Sequence, residues 1–397
     1  MKTAAVIGIS RYARYHLFMA LEQALHGKLR LAAVVVVNQE EESFLCTRLR
    51  SLGCEIFDDT RSLWAAWDRR IDLCFVPTGI HLHAPMTLEA LGAGANVLVE
   101  KPLTATVAEA EAIMAAERRT GRFVAVGFQD LYTPPTWTIK ERLLSGAIGE
   151  VTAITLVGLW PRHAGYYQRN DWAGRLKQNG QWVLDSPINN AFAHFLNLGL
   201  FWAGSRTEAS ARVRAVACEL YRVQRIESFD TCCIRADLEG GAQLRVYATH
   251  SCEEDRVPNV TIEGTRGRLS WVQESHYEII DREGRHERHP VPGKIETKLM
   301  MADAVVARIE DPAARICGTA IALEHLRLVD AVHQSGPVAD IPTRFVRDRT
   351  AASGKWREVA GIEAAIDEAS VTGKLWSELG VPWAQPASSF AFESSPA

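Results

Sequence analysis

Thr3-Ala4-Ala5-Val6-Ile7-Gly8-Ile9-Ser10-Arg11-Tyr12-Ala13 is an apolar run that breaks into a glycine turn. Unbroken apolarity over Ala4–Ile9 predicts a strand covered on both faces, and the polar turn after it opens a helix. The same alternation continues outward. Strands are predicted at Leu31–Val37, Cys54–Phe57, Ile71–Val76, Asn96–Val99 and Arg122–Gly127, with amphipathic helices such as Leu82–Gly94 and Val107–Thr120 between them. A strand–helix unit repeated five times and closed by a sixth strand is the pattern of a doubly wound parallel sheet, an α/β Rossmann domain over residues 1–127.

Beyond Gly127 the pattern changes. Pro134 and Pro135 mark a crossover, and longer strands with partial alternation follow at Val151–Val157, Arg212–Tyr221, Phe229–Leu238, Ala242–His250, Asn259–Glu263, Arg268–Val272 and Tyr277–Asp281. Hairpin-like separations such as Glu239-Gly240-Gly241 predict a largely antiparallel open sheet in an α+β second domain, residues 128–384. Helices are expected at Cys317–His333 and Val359–Leu379. The Ser-, Ala- and Pro-rich residues 385–397 read as a flexible tail.

The 397 residues are 47% hydrophobic and 23% charged, with 44 Lys and Arg against 48 Asp and Glu. A formal net charge of −4 gives no basic field for nucleic acid or anionic lipid, so small molecules are the expected partners. The longest aliphatic run, Leu31–Val37, is far below the roughly 18 residues of a spanning helix. Arg11 and Arg14 interrupt the apolar start, which reads as a first strand and not as a signal peptide. Eight cysteines without Cys-x-x-Cys spacing predict reduced thiols in a cytoplasmic protein. Asp281–His289 reads as a solvated hairpin, and no metal site is expected.

Gly8-x-Ser10-x-x-Ala13 departs from the dinucleotide fingerprint Gly-x-Gly-x-x-Gly/Ala at its central position. Gly8, Ser10, Arg11 and Tyr12 remain the expected pyrophosphate turn, the serine hydroxyl able to donate to a phosphate. At the tip of the second strand Asn38 stands where an acidic ribose ligand is expected. NAD is the expected cofactor. NADP stays open, with Arg11 or Arg14 as the partner for a 2′-phosphate.

Gly94-Ala95-Asn96-Val97-Leu98-Val99-Glu100-Lys101-Pro102 sets a charged pair where the fifth strand emerges, at the crevice in which open α/β sheets bind ligands. With the upstream stretch Val76-Pro77-Thr78-Gly79-Ile80-His81-Leu82-His83-Ala84-Pro85 and the mixed second domain, it resembles the glucose-fructose oxidoreductase and inositol dehydrogenase family. The resemblance implies that Lys101 lies beside the nicotinamide and contacts the reacting hydroxyl or carbonyl of a sugar or polyol. It implies cofactor contacts from Pro77, Thr78, His81, His83 and Glu100, and a cis bond between Lys101 and Pro102. It also implies that neither histidine binds metal; one of the pair is expected to face the cofactor and the other to pack.

The family's second catalytic element is Asp-x-x-x-His. Here Asp185 matches, but Asn189 occupies the histidine position and takes no proton. Two repairs are open. His194, four residues beyond Asn190, shares its face if the segment is helical. Alternatively Lys101, desolvated beside a cationic ring, exchanges the proton itself while Asp185 and Asn189 orient the sugar. Trp160, His163, Tyr166, Tyr167, Arg169, Asn170, Trp172 and Trp182 crowd one segment, a composition suited to sugar faces and hydroxyls; Tyr167, Arg169 and Trp172 are the first substrate candidates.

The expected activity is hydride transfer between a secondary hydroxyl of a sugar, sugar derivative or polyol and NAD(P). The alternatives are a redox-neutral glycosidase or lyase that passes through a transient keto-sugar, and a non-catalytic sensor of NAD(P) or sugar. An apolar sheet face left open in the second domain would be buried in a homodimer or homotetramer.

Overall fold

The computed structural model describes residues 1–281, 283–352 and 354–392. The chain divides into two compact units, Met1–Thr133 with Gly293–Leu323, and Pro134–Pro292 with Glu324–Ala397. This corrects the contiguous division at residue 127. The second segment of the first unit is hard to foresee because its residues are bounded by strands and helices of the other.

In the first unit six parallel strands, β1 (Lys2–Ile7), β2 (Leu29–Val35), β3 (Glu55–Phe57), β4 (Leu73–Val76), β5 (Asn96–Val99) and β6 (Val124–Val126), lie in the order β3-β2-β1-β4-β5-β6. Helices α1 (Ala13–Leu25), α2 (Ser43–Ser51), α3 (Thr60–Trp67), α4 (Ile80–Gly92) and α5 (Val107–Thr120) connect them. This is the Rossmann order, with its reversal between β1 and β4. Residues 4–7, 73–76, 97–99 and 124–126 are all buried, as the apolar runs predict. Helix α5 starts on a reciprocal cap in which Thr106 and Glu109 exchange side-chain and backbone bonds. It ends on Gly121 in the left-handed region.

The second unit contains α6 (Pro134–Leu144), β7 (Val151–Leu159), the short helix α7 (Ala164–Tyr167), a two-stranded ribbon β8 (Lys177–Gln178) and β9 (Gln181–Trp182), and α8 (Ala193–Ala203). Strands β10 (Val213–Arg222), β11 (Thr231–Leu238), β12 (Gln243–Thr249), β13 (Arg256–Gly264), β14 (Gly267–Val272), β15 (His276–Asp281) and β16 (His286–Pro290) follow. They build one sheet in the order β16-β15-β14-β13-β7-β12-β11-β10, antiparallel except where β7 meets β12. Helix α9 (Lys294–Arg308) returns to the first unit and packs on α1. Helix α10 (Thr319–Ser335) begins in the first unit and ends in the second.

The C-terminal segment departs most from expectation. Where one long helix is predicted over 359–379, a hairpin of β18 (Val346–Ala351) and β19 (Gly354–Val359) leads into the shorter α11 (Ile362–Thr372). Strand β17 (Ala339–Asp340) pairs with the end of β10, and β20 (Ser388–Ala391) pairs with Ala215–Cys218 of the same strand. The expected tail is therefore a sheet strand at residues 388–391, while residues 393–397 lie outside the described residues. Ile341, Val359, Ile362, Ile366, Leu375, Trp376 and Trp383 pack with Val157, Tyr221, Cys233 and Tyr247 of the sheet in one buried cluster. On β7, β10, β11 and β12 the apolar side chains of this face are covered by the chain's own C-terminal segment.

All eight cysteines are buried, and none forms a disulfide among the described residues. Among the described residues no helix is long and apolar enough to cross a membrane, and no cluster of metal-binding side chains occurs.

Candidate active site

Gly8, immediately after β1, has φ +91°, a conformation glycine reaches without strain. Arg11 follows at φ 52°, and the turn closes through bonds from Ala13 N–H to Ser10 O and from Arg14 N–H to Arg11 O. Tyr12 precedes α1 without capping it through its side chain; the first amides of the helix, those of Ala13, Arg14 and Tyr15, donate instead to the carbonyls of Ser10, Arg11 and Tyr12 in the turn itself. Serine at position 10 is accommodated: its hydroxyl is 3.3 Å from Asn38 Oδ1 and 3.2 Å from Asn38 Nδ2, linking the phosphate turn to the tip of β2.

Asn38 also donates to Glu41 Oε2 at 2.9 Å. Arg14 is paired with Glu42 at 3.2 Å. One of the two arginines offered for a 2′-phosphate is thus neutralised, and a carboxylate sits one bond from Asn38. The tip of β2 favours unphosphorylated ribose.

At the carboxyl end of β4, Pro77 is buried and Thr78 half-buried. Thr78 Oγ1 and His81 Nδ1 are buried atoms without a hydrogen-bond partner among the described residues. Such orphans are costly in a finished core and suit a polar ligand at a Rossmann crevice. His83 is the packing member of the pair: its Nδ1 is 2.7 Å from Pro102 O and its Nε2 3.1 Å from Thr78 O. Burial lowers its pKa. The side chains around β1, β2 and β4 fit a dinucleotide.

Glu100 ends β5 as a buried carboxylate bonded to His16 Nε2 at 3.0 Å and accepting from Lys101 N–H at 2.9 Å. Burial pushes its pKa up. The His16 hydrogen bond and charge, Lys298 and Lys101 outweigh that and hold it at about 2. A Cβ on Gly127 would lie 3.0 Å from Glu100 Oε1 and 3.2 Å from its Cα, so glycine is what lets β6 pass this close. Lys298, only 1% exposed on α9, donates to Tyr12 Oη at 2.6 Å. Lys101 follows with a half-buried side chain and a cis bond to Pro102. His16 and Lys298 escaped the sequence reading. His16 was signalled by its place one helical turn after Tyr12, whereas nothing local signals Lys298.

In the second unit Asp185 is 4% exposed; its Oδ2 accepts from Gly174 N–H at 2.6 Å and its Oδ1 from Asn190 Nδ2 at 2.9 Å. It lines a pocket with Tyr166, Tyr167, Ser186, Pro187, Asn190, Phe229 and His250, roomy enough for about one water molecule. Asn189 is not part of it. It is fully buried, and its Nδ2 donates to Val183 O at 3.2 Å and Leu184 O at 3.1 Å, holding Leu184 at φ 52°. Its amide nitrogen thus secures a strained backbone turn, while its Oδ1 is buried without a hydrogen-bond partner among the described residues.

His194 does not share a helical face with Asn190. Residues 186–190 form turns, with bonds from Asn189 and Asn190 N–H to Ser186 O, and α8 begins only at Ala193. Pro187 with the Asn189-Asn190 pair favours turns over helix. His194 is half-buried, its ring 6.4 Å from that of Phe195, and it lines no part of the pocket. Nor does Asp185 cap a helix through Phe192.

Of the aromatic segment only Tyr166 and Tyr167 line the pocket. The Arg169 guanidinium lies 3.6 Å over the Tyr166 ring and 5.5 Å from Trp172, while its Nη1 donates to Tyr166 O at 2.7 Å. Arg169 and Trp172 therefore buttress the wall that Tyr166 forms. His250 was missed, although it closes a predicted strand. It is buried at the end of β12 and stacked on Phe192, with ring centroids 5.3 Å apart. Its Nδ1 is 2.8 Å from Trp160 O, which fixes the tautomer with the proton on Nδ1. Burial, then Arg162, with Arg169 adding less, press its pKa down to about 3 against the Trp160 bond.

Residues 2–128 match the family model described as "Oxidoreductase family, NAD-binding Rossmann fold", and residues 136–270 match the GFO/IDH/MocA C-terminal domain. A dTDP-3,4-didehydro-2,6-dideoxy-alpha-D-glucose 3-reductase from Streptomyces antibioticus is 31% identical over 175 residues, which cover 43% of this chain and 51% of the relative. An inositol 2-dehydrogenase/D-chiro-inositol 3-dehydrogenase from Halalkalibacterium halodurans is 34% identical over 146 residues, covering 36% and 40%. The chain thus matches about half the length of these relatives or less. An inositol dehydrogenase homolog from Azotobacter vinelandii, crystallised with NADH and myo-inositol, shares the fold with a TM-score of 0.69 at 18% identity, covering 83% of this chain and 93% of that one. Two family models spanning both units, on a Rossmann sheet with Glu100-Lys101-Pro102 at its ligand edge, establish that the chain belongs to the GFO/IDH/MocA oxidoreductases, with their NAD-binding Rossmann fold.

Proposed function

We propose that this protein is an NAD-dependent dehydrogenase that interconverts a secondary hydroxyl of a sugar, sugar derivative or polyol with the corresponding ketone. The observation that carries the reading is the Glu100–Lys101 pair at the end of β5, with Glu100 held ionised by His16 and Lys298 beneath a half-buried lysine. NAD, when bound, supplies the acceptor for the hydride that leaves carbon.

The chain's own residues do the rest. Gly8, Ser10, Arg11 and Tyr12 supply the phosphate turn, Asn38 the ribose contact, and Pro77, Thr78 and His81 the edge of β4. In the oxidation direction Lys101 acts in its neutral amine form, favoured by desolvation beside the cationic nicotinamide, its Nζ accepting the hydroxyl proton as the carbonyl forms; the resulting ammonium donates that proton back in the reverse direction. Asp185 orients a substrate hydroxyl, being itself fixed by Gly174 N–H and Asn190. His194 and Asn189 are outside this scheme.

Lys101→Ala is the decisive variant. It is expected to lower kcat by about 10²–10⁴-fold while NAD affinity, followed by fluorescence titration, stays within about twofold. Near-normal turnover would overturn the assignment. Release of an aglycone from glycosides without net NADH would move the reading to redox-neutral elimination chemistry.

A further inference from the structure

The pocket of the second unit is too small for a pyranose ring and matches one hydroxyl group in size. Its polar lining is unevenly used. Asp185 is already engaged by Gly174 N–H and Asn190. Tyr167 Oη, in contrast, is buried without a hydrogen-bond partner among the described residues. Burial, with Asp230, Tyr166 and Asp185 nearby, drives its pKa well above that of an ordinary phenol, so it stays a donor. His250 donates through Nδ1 to Trp160 O, and its Nε2 has no partner among the described residues. With Nδ1 carrying the proton, Nε2 can only accept. The recess therefore presents an unsatisfied donor and an unsatisfied acceptor. A hydroxyl group answers both, whereas an ammonium cannot accept and a C–H can do neither.

Resting on the dehydrogenase reading above, we propose that the recess lined by Tyr167 and His250 receives one unreacting hydroxyl of the polyol. Tyr167 Oη donates to its oxygen, and His250 Nε2 accepts its proton in a hydrogen bond without taking it. This makes the two residues specificity determinants for a hydroxyl other than the one oxidised. His250 is not a substitute for the absent family histidine, because an imidazole buried beside Arg162 and Arg169 does not retain a proton at neutral pH.

The test compares wild type, Tyr167→Phe and His250→Gln on myo-inositol, D-chiro-inositol and D-glucose and on their monodeoxy analogues. Tyr167→Phe removes an oxygen that bonds to nothing in the free protein, so its melting temperature is expected to equal that of wild type or exceed it. One monodeoxy analogue should lose about tenfold to hundredfold in kcat/KM on wild type. Tyr167→Phe should lose a similar factor on the parent, mostly in KM, and should no longer penalise that same analogue. His250→Gln should raise KM with the pH profile unmoved. A Tyr167→Phe enzyme within twofold of wild type on the parent, or one that keeps the full deoxy penalty, overturns the proposal. If wild type oxidises none of the three polyols, the dehydrogenase reading is what fails for them. Calorimetric binding of myo-inositol then judges the recess, where equal affinity for wild type and Tyr167→Phe overturns it.

Discussion

The two units carry their candidate residues in opposite ways. In the first, the charged groups beside the ligand edge are tied into one another: Glu100 to His16 and the Lys101 amide, Lys298 to Tyr12. In the second, Asp185 is held by a backbone amide and an asparagine, while Tyr167 Oη is buried without a partner and His250 Nε2 makes no hydrogen bond among the described residues. A site that stabilises a buried charge needs its partners in place before any ligand arrives, because an unpaired ion in the interior is costly. A site that selects among neutral hydroxyls can leave neutral groups open at much smaller cost and recover it on binding.

That contrast breaks most visibly at Glu100. Its pKa of about 2, against an ordinary 4.5, lies below the unfolded value. Its ionised form therefore contributes stability that is fully present above about pH 5 and lost as pH falls toward 2. The difference amounts to about 3 kcal/mol. Urea unfolding from pH 7 to 3 is expected to show about 2 kcal/mol of that loss in wild type and a much flatter profile in Glu100→Gln. Equal slopes for the two proteins would mean that the first unit's network is not electrostatically organised.

Asn189 sharpens the other half. Restoring the family residue by Asn189→His places a larger ring where Asn189 is fully buried against Val183 and Leu184 carbonyls. The expected result is destabilisation by about 1–3 kcal/mol, read by thermal unfolding, with no gain in kcat and no new ionisation in its pH profile. A gain in turnover with a new pKa near neutrality would show that position 189 faces substrate after all.

What the sequence made legible follows the same divide. Runs such as Ala4–Ile7 and Leu73–Val76 are buried on both faces, so apolarity alone marks them as parallel strands. Glu100-Lys101-Pro102 is readable because β5 ends where the chain must turn. The second unit resists because its determinants are distant along the chain. Tyr167 and His250 are separated by several strands, and the turn at Leu184 depends on a side chain five residues later. The tail misled for a related reason. Ser388–Ala391 has little to mark it as a strand, and its pairing is supplied by the open edge of β10. The helix predicted over 359–379 fails at Gly361 and Gly373, both in the left-handed region at the ends of α11.

The central claim is that hydride passes from a carbon of a sugar or polyol to NAD on this chain. Incubating the protein with NAD and carbon-deuterated myo-inositol, D-chiro-inositol or D-glucose, followed by mass spectrometry of the nucleotide, tests it most directly. The account predicts NADH carrying one deuterium with at least one of these substrates, and its disappearance in Lys101→Ala. NAD left oxidised with all of them, or NADH formed without label, would contradict it.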